Sequence, residues 1–503
     1  MSDVGSVYSV GLNVFVAEVI EIQANIGQGL PSFVISGNID ASLREAKDRV
    51  RAAVNNSGVR FLEKKVTVAL APANLPKSGS GFDLPMALAV LAASEQLELT
   101  RLAGTVFIGE LSLDGQLRPV RGMLPLLLAA RRAGFSRAVV PLGNVAEAAL
   151  VNELEIGGAR SLAEVVGWCA GVQVLETVDD AEPGPAMTMP DMADVVGQAQ
   201  ARHALEVAAA GGHHVLMTGP PGIGKTMLAS RLPGILPRLR RDEALEVTAI
   251  HSVAGTLPLR RPLITAPPFV APHHAVGTTA LLGGGTGMAR PGAVSLAHRG
   301  VLFLDECAEM GPKVLDTLRQ PLEEGVVRIT RRDGTATYPA RFLLLLAANP
   351  CPCAPAKDVD CVCSSVTRRR YLSRLSGPLM DRVDIHVQMD PPGNTMLIAE
   401  QGESSAVMAQ RVAAARAAAR ERWKDRGWST NSEVPGAALR RTFALPPAVV
   451  RPVETFLREG RITARGADRA LRLAWTLTDL RGGQRPELDD VVQALMYRER
   501  AVR

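Results

Sequence analysis

Aromatic side chains are scarce in this sequence, whose 503 residues include only four Trp, four Tyr and eleven Phe. Proteins that hold single-stranded nucleic acid by base stacking need several exposed rings. A stacking platform is therefore not expected, and any nucleic acid would be held mainly through its phosphates. The formal net charge of +5 permits such a partner but does not establish one.

Long apolar runs are missing as well. The strongest run, Phe342–Ala348, has the length of a buried strand and falls far short of the ~18 apolar residues that a membrane-spanning helix needs. The first residues do not combine a basic stretch with an apolar run, which is the pattern of a secretory signal. We therefore expect a cytoplasmic protein.

Cysteine is too rare for a disulfide scaffold, because a chain of this length has only six. Four of the six lie close together, as two Cys-x-Cys pairs on either side of a seven-residue loop. Four thiolates so close in sequence suit tetrahedral Zn²⁺, although free or redox-active thiols are the alternative for this short spacing. Cys169 and Cys307 are expected to be buried, with no assigned role. The predicted zinc ligands are Cys351, Cys353, Cys361 and Cys363.

The chain is too long for a single hydrophobic core, and its composition changes along its length. Residues 1–178 alternate short strands with helices and predict an α/β domain. Residues 179–192 have the acidic, Pro- and Gly-rich composition of a linker. Residues 193–393 predict a second α/β domain, and residues 394–503 a helical one. The helical part has nineteen Lys and Arg against thirteen Asp and Glu.

A glycine-rich segment after an apolar strand predicts a phosphate-binding loop. Its glycines allow backbone amides to point at phosphates, and the helix that opens at Lys225 adds its dipole. Lys225 is expected to neutralise the β- and γ-phosphates of ATP, and the Thr226 hydroxyl to bind Mg²⁺. The predicted nucleotide-binding residues of this loop are Gly219, Pro220, Pro221, Gly222, Ile223, Gly224, Lys225 and Thr226.

Two further strands are predicted to end in polar groups that complete a hydrolytic site. Asp305 follows the apolar run Val301–Leu304 and is expected to hold Mg²⁺, directly or through water. Glu306 comes next and has the chemistry of a general base for the attacking water. Asn349, at the end of the following apolar strand, is expected to position that water. A solvated surface pair is the alternative for the two acids.

Arg382 follows a short predicted helix that starts after Ser376. An arginine at this point is able to reach the γ-phosphate in a neighbouring subunit and stabilise charge in the transition state. An ion pair with Asp381 or Asp384 is the alternative. A site shared between subunits fits head-to-tail interfaces, which close into rings.

Beyond these motifs, the chain resembles the YifB/ComM family of magnesium-chelatase-like AAA+ ATPases over nearly its whole length. The resemblance rests on specific strings well beyond the phosphate-binding loop. These strings are Tyr8–Leu12, Gly29–Phe33, Leu75–Pro85, Phe107–Gly115, Pro272–His274, Ser295–His298, Leu318–Glu323 and Asn349–Cys353.

The resemblance implies an AAA+ P-loop domain, a C-terminal helical lid and a hexameric ring. It implies that Arg382 is the arginine finger, and that Arg465 in the lid contacts the nucleotide of its own subunit. ComM-like proteins are motors that move DNA branch points during uptake and recombination of DNA. The resemblance therefore implies a helicase-like activity on DNA.

The first domain resembles the Lon-protease domain, an α/β fold of the ribosomal S5 type, which uses a serine nucleophile and a lysine base. At the matching positions this chain has Asp83 and either Leu124 or Pro125. Ser80 and Lys77 lie nearby but do not match the pattern. Nucleophilic catalysis needs both groups at those places, so we expect a non-proteolytic domain. Asp83 is also predicted to cap a helix over Met86–Ala93.

Two basic runs are candidates for contact with DNA: Arg368–Arg370, and Arg331–Arg332 at the tip of a predicted hairpin. A solvated surface is the alternative for each run taken alone. Other functions remain open with the same nucleotide site. One is an ATPase subunit that serves a metal-chelatase partner, and another is a remodeller of protein complexes.

Overall fold

The computed structural model describes residues 4–13, 16–75, 77, 79–97, 99–177, 189–258, 262–285, 289–331, 334–355, 360–389 and 402–498. Within these ranges the chain forms two α/β units followed by a group of helices, which confirms the predicted mixed α/β class. Most of the predicted linker, and the predicted boundary near residue 393, lie outside the described residues. Those domain limits stay predictions.

The first unit is built on a seven-stranded mixed sheet in the order β3-β4-β2-β1-β5-β8-β9. Strand β4 alternates exposed or half-buried with buried residues, as expected for a strand with one face on a core. Every residue of helix α2 is buried beneath this sheet. The elements are β1 (Val4–Asn13), β2 (Val16–Gly27), β3 (Ser32–Ser36), α1 (Ala41–Asn56), β4 (Lys65–Ala71), α2 (Asp83–Ala93), β5 (Thr105–Phe107), β6 (Glu110–Leu111), β7 (Leu117–Arg118), α3 (Met123–Arg132), β8 (Arg137–Pro141), α4 (Val145–Ala148), β9 (Glu155–Ala159) and α5 (Leu162–Cys169).

The second unit contains the predicted nucleotide-binding segments. Its elements are α6 (Ala199–Gly211), β10 (Val215–Thr218), α7 (Lys225–Ile235), α8 (Arg241–Ala254), β11 (Phe269–Val270), α9 (Thr278–Leu282), β12 (Gly283–Gly284), β13 (Arg290–Pro291), α10 (Ala293–Leu296), β14 (Val301–Leu304), α11 (Pro312–Leu315), α12 (Arg319–Glu324), β15 (Val326–Arg331), β16 (Gly334–Pro339), β17 (Leu343–Ala348), α13 (Ser365–Leu372), α14 (Gly377–Met380) and β18 (Ile385–Gln388). The predicted hairpin is β15–β16, but Arg332 at its tip lies outside the described residues.

Five of these strands form a parallel sheet in the order β11-β14-β17-β10-β18. Strands β14 and β17 are buried throughout, which explains their continuous apolar sequences. Because all five strands run the same way, their carboxyl ends meet at one edge and their amino ends at the other. The order also places β17 between β14 and β10, so the segments that follow these three strands are neighbours.

The remaining helices pack on this sheet and share its core. Helices α15 and α18 contact α6, and α15 also contacts α7. Their apolar residues form one buried cluster with β10, β14 and β17. These helices are α15 (Ser405–Trp423), α16 (Gly436–Arg440), α17 (Pro447–Arg458), α18 (Ala464–Leu480) and α19 (Leu488–Met496). Among the described residues, no helix is both long and apolar enough to cross a bilayer.

The first unit is joined to the second through helix α8. Helix α3 packs against α8, and the Ser252 hydroxyl of α8 donates a hydrogen bond to the Glu147 carboxylate of α4. The Leu124 amide donates to the same carboxylate at 2.7 Å. Burial raises the pKa of Glu147, and these hydrogen bonds offset part of the effect. This half-buried acid accepts hydrogen bonds from both units and so fixes how they meet.

A buried amide, Asn431, ties the C-terminal helices together. Its Oδ1 accepts from the Trp423 indole at 2.9 Å, and its Nδ2 donates to Asp479 at 2.8 Å and to Thr476 at 3.1 Å. The side chain of Asn431 is almost fully buried. Its removal would leave buried polar atoms on three helical residues without this partner.

We predict that Asn431→Ala lowers the free energy of unfolding of these helices by about 2 kcal/mol, because buried donors and acceptors lose their partners. Urea unfolding followed by tryptophan fluorescence measures this change, since Trp423, Trp428 and Trp475 all lie in this part of the chain. Asn152→Ala, at an exposed position, is the control and should stay within about 0.5 kcal/mol of the parent. Equal effects of the two substitutions would contradict the prediction.

Candidate nucleotide site, arginine cavity and cysteine cluster

The phosphate-binding loop connects β10 to α7 at the carboxyl edge of the parallel sheet. Gly224 has φ +101° at the start of α7, a conformation that side chains rarely adopt. At Gly219 a Cβ atom would lie 2.8 Å from the carbonyl oxygen of Met389, so the loop needs glycine to pass the end of β18. The sequence therefore dictates a tight loop whose amides open onto a helix N-terminus, which is a site for anions.

Lys225 lies inside this loop rather than in solvent. Its ammonium group donates to the carbonyl oxygens of Gly219 at 2.6 Å and Pro220 at 2.9 Å, and to Asn349 Oδ1 at 3.0 Å. Burial lowers the pKa of Lys225, while the nearby acids Asp305 and Glu306 oppose that shift. The structure thus brings the lysine and the predicted water-positioning amide together.

Two predicted magnesium ligands also meet at this edge. The Thr226 hydroxyl donates to Asp305 Oδ2 at 2.6 Å, and the other carboxylate oxygen of Asp305 accepts from the Glu306 amide at 2.9 Å. A hydroxyl and a carboxylate are hard oxygen donors of the kind that Mg²⁺ prefers, especially beside phosphates. The residues present therefore fit a magnesium–nucleotide complex.

Glu306 is in contact with His274, a residue for which the sequence predicts no role. The Glu306 Oε2 atom lies 3.0 Å from Nδ1 of His274, and both side chains are partly exposed. Glu306 has φ +48°, an unusual backbone conformation for a residue with a side chain. The ring of His274 lies 4.1 Å from that of His273. His274 belongs to the Pro272–His274 string that carries the family resemblance, but the neighbouring sequence does not indicate that it contacts Glu306.

Arg382 lies at the opposite edge of the sheet, just before β18 begins. Its guanidinium pairs with Glu323 of α12 and donates to the carbonyl of Pro378 at 2.6 Å. The predicted alternative, a pair with Asp381 or Asp384, is not what the structure has. Burial lowers the pKa of Arg382, and nearby guanidinium groups add to the effect. An additional anion beside Arg382 would stabilise the charged form of its guanidinium.

Asp384 stabilises the segment that carries Arg382. Although burial alone raises it, the guanidinium of Arg469 and the ring of His213 hold the pKa of Asp384 well below its usual range. His213 Nδ1 lies 3.0 Å from this carboxylate, and Arg469 also donates to the carbonyl of Arg382 at 3.0 Å. Arg469 therefore connects helix α18 to the backbone of the predicted finger.

Arg382 lines a cavity of about 780 Å³ at this edge, where the amino ends of the strands face the C-terminal helices. Ten arginines line the cavity against six acids, so its lining is positive. The arginines are Arg238, Arg240, Arg299, Arg341, Arg382, Arg416, Arg420, Arg465, Arg469 and Arg472.

Arg465 is one of these arginines, at the first turn of α18. It lies in the same cavity as residues that precede strands, such as Gly212 before β10 and Phe342 before β17. The phosphate-binding loop follows β10 and lies at the other edge. The structure places Arg465 in the same cavity as Arg382, and the phosphate-binding loop does not line that cavity. The expected contact of Arg465 with the nucleotide of its own chain stays a prediction.

The four clustered cysteines come together in space directly after Asn349. Their sulfur atoms all lie within 4.8 Å of one another, and Cys351 lies 3.3 Å from Cys353 and 3.5 Å from Cys361. Hydrogen bonds from Cys351 and Cys363 lower the pKa of Cys353 to about 7. Four converging sulfurs match the ligand set of structural zinc.

The region that resembles the Lon-protease site has a different chemistry. Helix α2 begins at Asp83 rather than being capped by it, and the Asp83 carboxylate accepts from Arg49 Nε at 2.8 Å and from the Leu111 amide at 3.2 Å. Burial raises the pKa of Asp83 to about 6 in spite of Arg49. The predicted cap is thus wrong, because the carboxylate is buried in an ion pair instead.

The other residues of that region have separate partners. Lys77 donates to the carbonyl of Pro72, and Ser80 donates to Glu110. Leu124 and Pro125 are buried in the first turn of α3. The structure therefore arranges Lys77 and Ser80 around different acceptors.

Comparison with known proteins places this arrangement in a family context. Three family models match the chain: "Subunit ChlI of Mg-chelatase" over residues 22–144, "Magnesium chelatase, subunit ChlI" over residues 191–397, and "Magnesium chelatase, subunit ChlI C-terminal" over residues 402–498. Together they span both α/β units and the helices.

Similar proteins match over almost the whole length. An uncharacterized protein of Mycobacterium tuberculosis is 53% identical over 99% of both chains. Protein YifB of Salmonella typhimurium is 40% identical over 95% of this chain and 94% of its own. The competence protein ComM of Haemophilus influenzae is 37% identical over 96% of this chain and 95% of its own.

We predict that the purified protein contains about one zinc ion per chain, because four converging thiolates bind Zn²⁺ tightly. The double substitution Cys353→Ser with Cys361→Ser should lose the metal, whereas Cys169→Ser, at a buried cysteine far from the cluster in sequence, should keep it. Elemental analysis of the protein after gel filtration measures the content. Zinc that persists in the double variant would refute the assignment.

Proposed function

Because this chain belongs to the YifB/ComM family of magnesium-chelatase-like AAA+ ATPases, we propose that it is a ring-forming motor that hydrolyses ATP to act on DNA. The observation that carries the proposal is the separation of two half-sites on opposite edges of one parallel sheet. One edge has the nucleotide loop with Thr226 and Asp305, and the other has the arginine cavity with Arg382.

Hydrolysis would use the groups at the carboxyl edge. Lys225 exchanges its carbonyl partners for phosphate oxygens, and the amides of the loop bind the same phosphates. Bound Mg²⁺, held by Thr226 and Asp305, would neutralise charge on the phosphates. Glu306 accepts a proton from the attacking water, and Asn349 orients that water from the neighbouring strand. His274 fixes the direction of the Glu306 carboxylate through its contact.

The arginine cavity would receive the phosphates of the next subunit. A head-to-tail contact of the carboxyl edge of one chain with the amino edge of the next is a heterologous interface, and such interfaces close into rings. A predominantly positive cavity that contains a buried Arg382 favours a polyanionic occupant. Because Arg465 lies in this cavity, we assign it to the neighbour's nucleotide together with Arg382, rather than to the nucleotide of its own chain.

Nucleic acid is the proposed client of the ring. The relative from Haemophilus influenzae is named a competence protein, and the resemblance implies motors that move DNA branch points. The sequence itself has a formal net charge of +5, and the helical region alone, with nineteen Lys and Arg against thirteen Asp and Glu, has a larger basic excess than the whole chain. The alternative clients are a metal-chelatase partner and a protein complex, because the family models are named for magnesium chelatase.

We predict that Arg382→Ala lowers ATP turnover by about 10³-fold while ATP binding persists, because the guanidinium acts mainly in the transition state. Lys225→Ala should also be inactive. Mixing the two inactive proteins should restore part of the turnover, since some interfaces then combine an intact loop with an intact cavity. No recovery on mixing, in rings that exchange subunits, would contradict a shared site.

The same assay tells whether Arg465 acts on the nucleotide of its own chain or on that of the neighbouring subunit. If Arg465 serves the neighbour's nucleotide, a mixture of Arg465→Ala with Arg382→Ala stays inactive, because every cavity lacks one arginine. If it serves its own chain, that mixture recovers activity. The mixture of Arg465→Ala with Lys225→Ala is the positive control. We expect recovery only in the control.

We predict that DNA stimulates the ATPase and that Glu306→Gln, which still binds ATP but no longer activates water, accumulates as a ring that retains DNA. Steady-state turnover with single-stranded, duplex and forked DNA at low salt measures the first effect. Light scattering of the variant with ATP and DNA measures the second. Unchanged turnover with all three DNAs would argue against a DNA motor, and stimulation by a protein or a porphyrin-chelating subunit would favour the alternatives.

A further inference from the structure

Helix α13 follows the cysteine cluster directly, and its exposed surface has no role in the nucleotide site. Cys363 immediately precedes Ser364, whose hydroxyl caps the helix by accepting from the Thr367 amide at 3.2 Å. Residues 364–370 are all exposed, around the whole circumference of the helix. The helix joins the core of the sheet at its end, through Tyr371, which is buried, and Leu372, which is half-buried.

A helix of this kind does not form on its own. Eight residues are too few for a stable isolated helix in water. The residues of α13 before Tyr371, including Val366, are exposed and bury no apolar face that would stabilise it. Helix α13 is held instead at its two ends, by the cysteine cluster before it and by Tyr371 near its last turn. These two attachments leave the middle of the helix exposed to solvent.

The presented surface is strongly basic. Arg368, Arg369 and Arg370 are exposed, and the helix contains no acid. At about 100° per residue, three consecutive arginines spread over more than half of the circumference. A flat protein surface would contact only part of this arc, whereas the phosphate backbone of a flexible nucleic-acid strand is able to follow it. Arginine also matches phosphate with paired hydrogen bonds.

Both ends of this surface are connected to the catalytic groups. On one side, Cys351 is separated from Asn349 by Pro350 alone. On the other side, Arg374 pairs with Glu309 at 3.0 Å, and the Glu309 amide donates to the carbonyl of Glu306 at 2.8 Å. A displacement of α13 would therefore be transmitted to Asn349, the proposed water-orienting amide, and to the loop that contains Glu306, the proposed general base.

We propose that the cysteine cluster with bound zinc and helix α13 form a binding site for the phosphate backbone of nucleic acid, and that occupancy of this site stimulates the ATPase. Zinc fixes the start of the helix, and Arg369 and Arg370 contact phosphates. The inference rests on the proposed function, because it names the surface through which the DNA of that function is sensed.

The test compares two double variants of the full chain. Arg369→Gln with Arg370→Gln removes two charges from α13, and Arg131→Gln with Arg132→Gln removes two exposed charges from the end of α3. Fluorescence anisotropy with labelled single-stranded DNA and a non-hydrolysable ATP analogue gives the affinity across salt concentrations. Basal ATPase without DNA and the mass of the assembly are measured in parallel.

We expect the α13 variant to bind at least about tenfold more weakly, with a salt dependence shallower by about 1.4 in log Kd per log salt, since each lost single-strand contact removes about 0.7. DNA stimulation should require correspondingly more DNA, while basal turnover and assembly mass stay unchanged. The α3 variant should behave like the parent. Removal of zinc by a chelator should reproduce the α13 defect, and re-addition should reverse it.

Equal DNA affinity and equal salt dependence of parent and α13 variant would overturn the inference while leaving the proposed function intact. A smaller assembly at unchanged DNA affinity would also overturn it, and would assign the surface to a neighbouring subunit. If the parent itself neither binds nor responds to DNA at low salt, the proposed function fails, and the inference fails with it.

Discussion

Parallel pairing of five short strands is the constraint on which the whole site depends. It collects the nucleotide loop, Asp305 and Asn349 at one edge, because each follows the carboxyl end of a strand. The same pairing collects the segments before the strands at the other edge, where the arginine cavity lies. These two edges lie at opposite ends of the same strands, so the proposed shared site combines the carboxyl edge of one chain with the amino edge of a second copy.

The carboxyl edge is connected to elements that lie beside the nucleotide loop. The cysteine cluster starts two residues after Asn349, and Arg374 reaches back to Glu309 in the loop after Glu306. Helix α8 connects the two α/β units instead, since its Ser252 donates a hydrogen bond to Glu147 of the first unit. Such covalent and hydrogen-bonded connections are the path by which the proposed binding of DNA at helix α13 would alter the positions of Glu306 and Asn349.

Patterns that are contiguous in the sequence were predicted well. The phosphate-binding loop, the strand before Asp305 and the strand before Asn349 have the expected secondary structure, because alternation, burial and glycine geometry act within a few residues. The family and the mixed α/β class are confirmed. The prediction that Asp83 caps a helix was wrong, because the neighbouring sequence does not show that Arg49 of another helix pairs with this carboxylate.

The sequence by itself determined which groups are available: a lysine and a threonine at a helix start, two acids and an amide at strand ends, and four thiols in two pairs. Tertiary structure alone decided which of them meet. It brought His274 to Glu306, Glu323 to Arg382, and Arg465 to the cavity that Arg382 lines. These contacts join distant segments whose approach depends on strand order and helix packing, and no local pattern encodes that path.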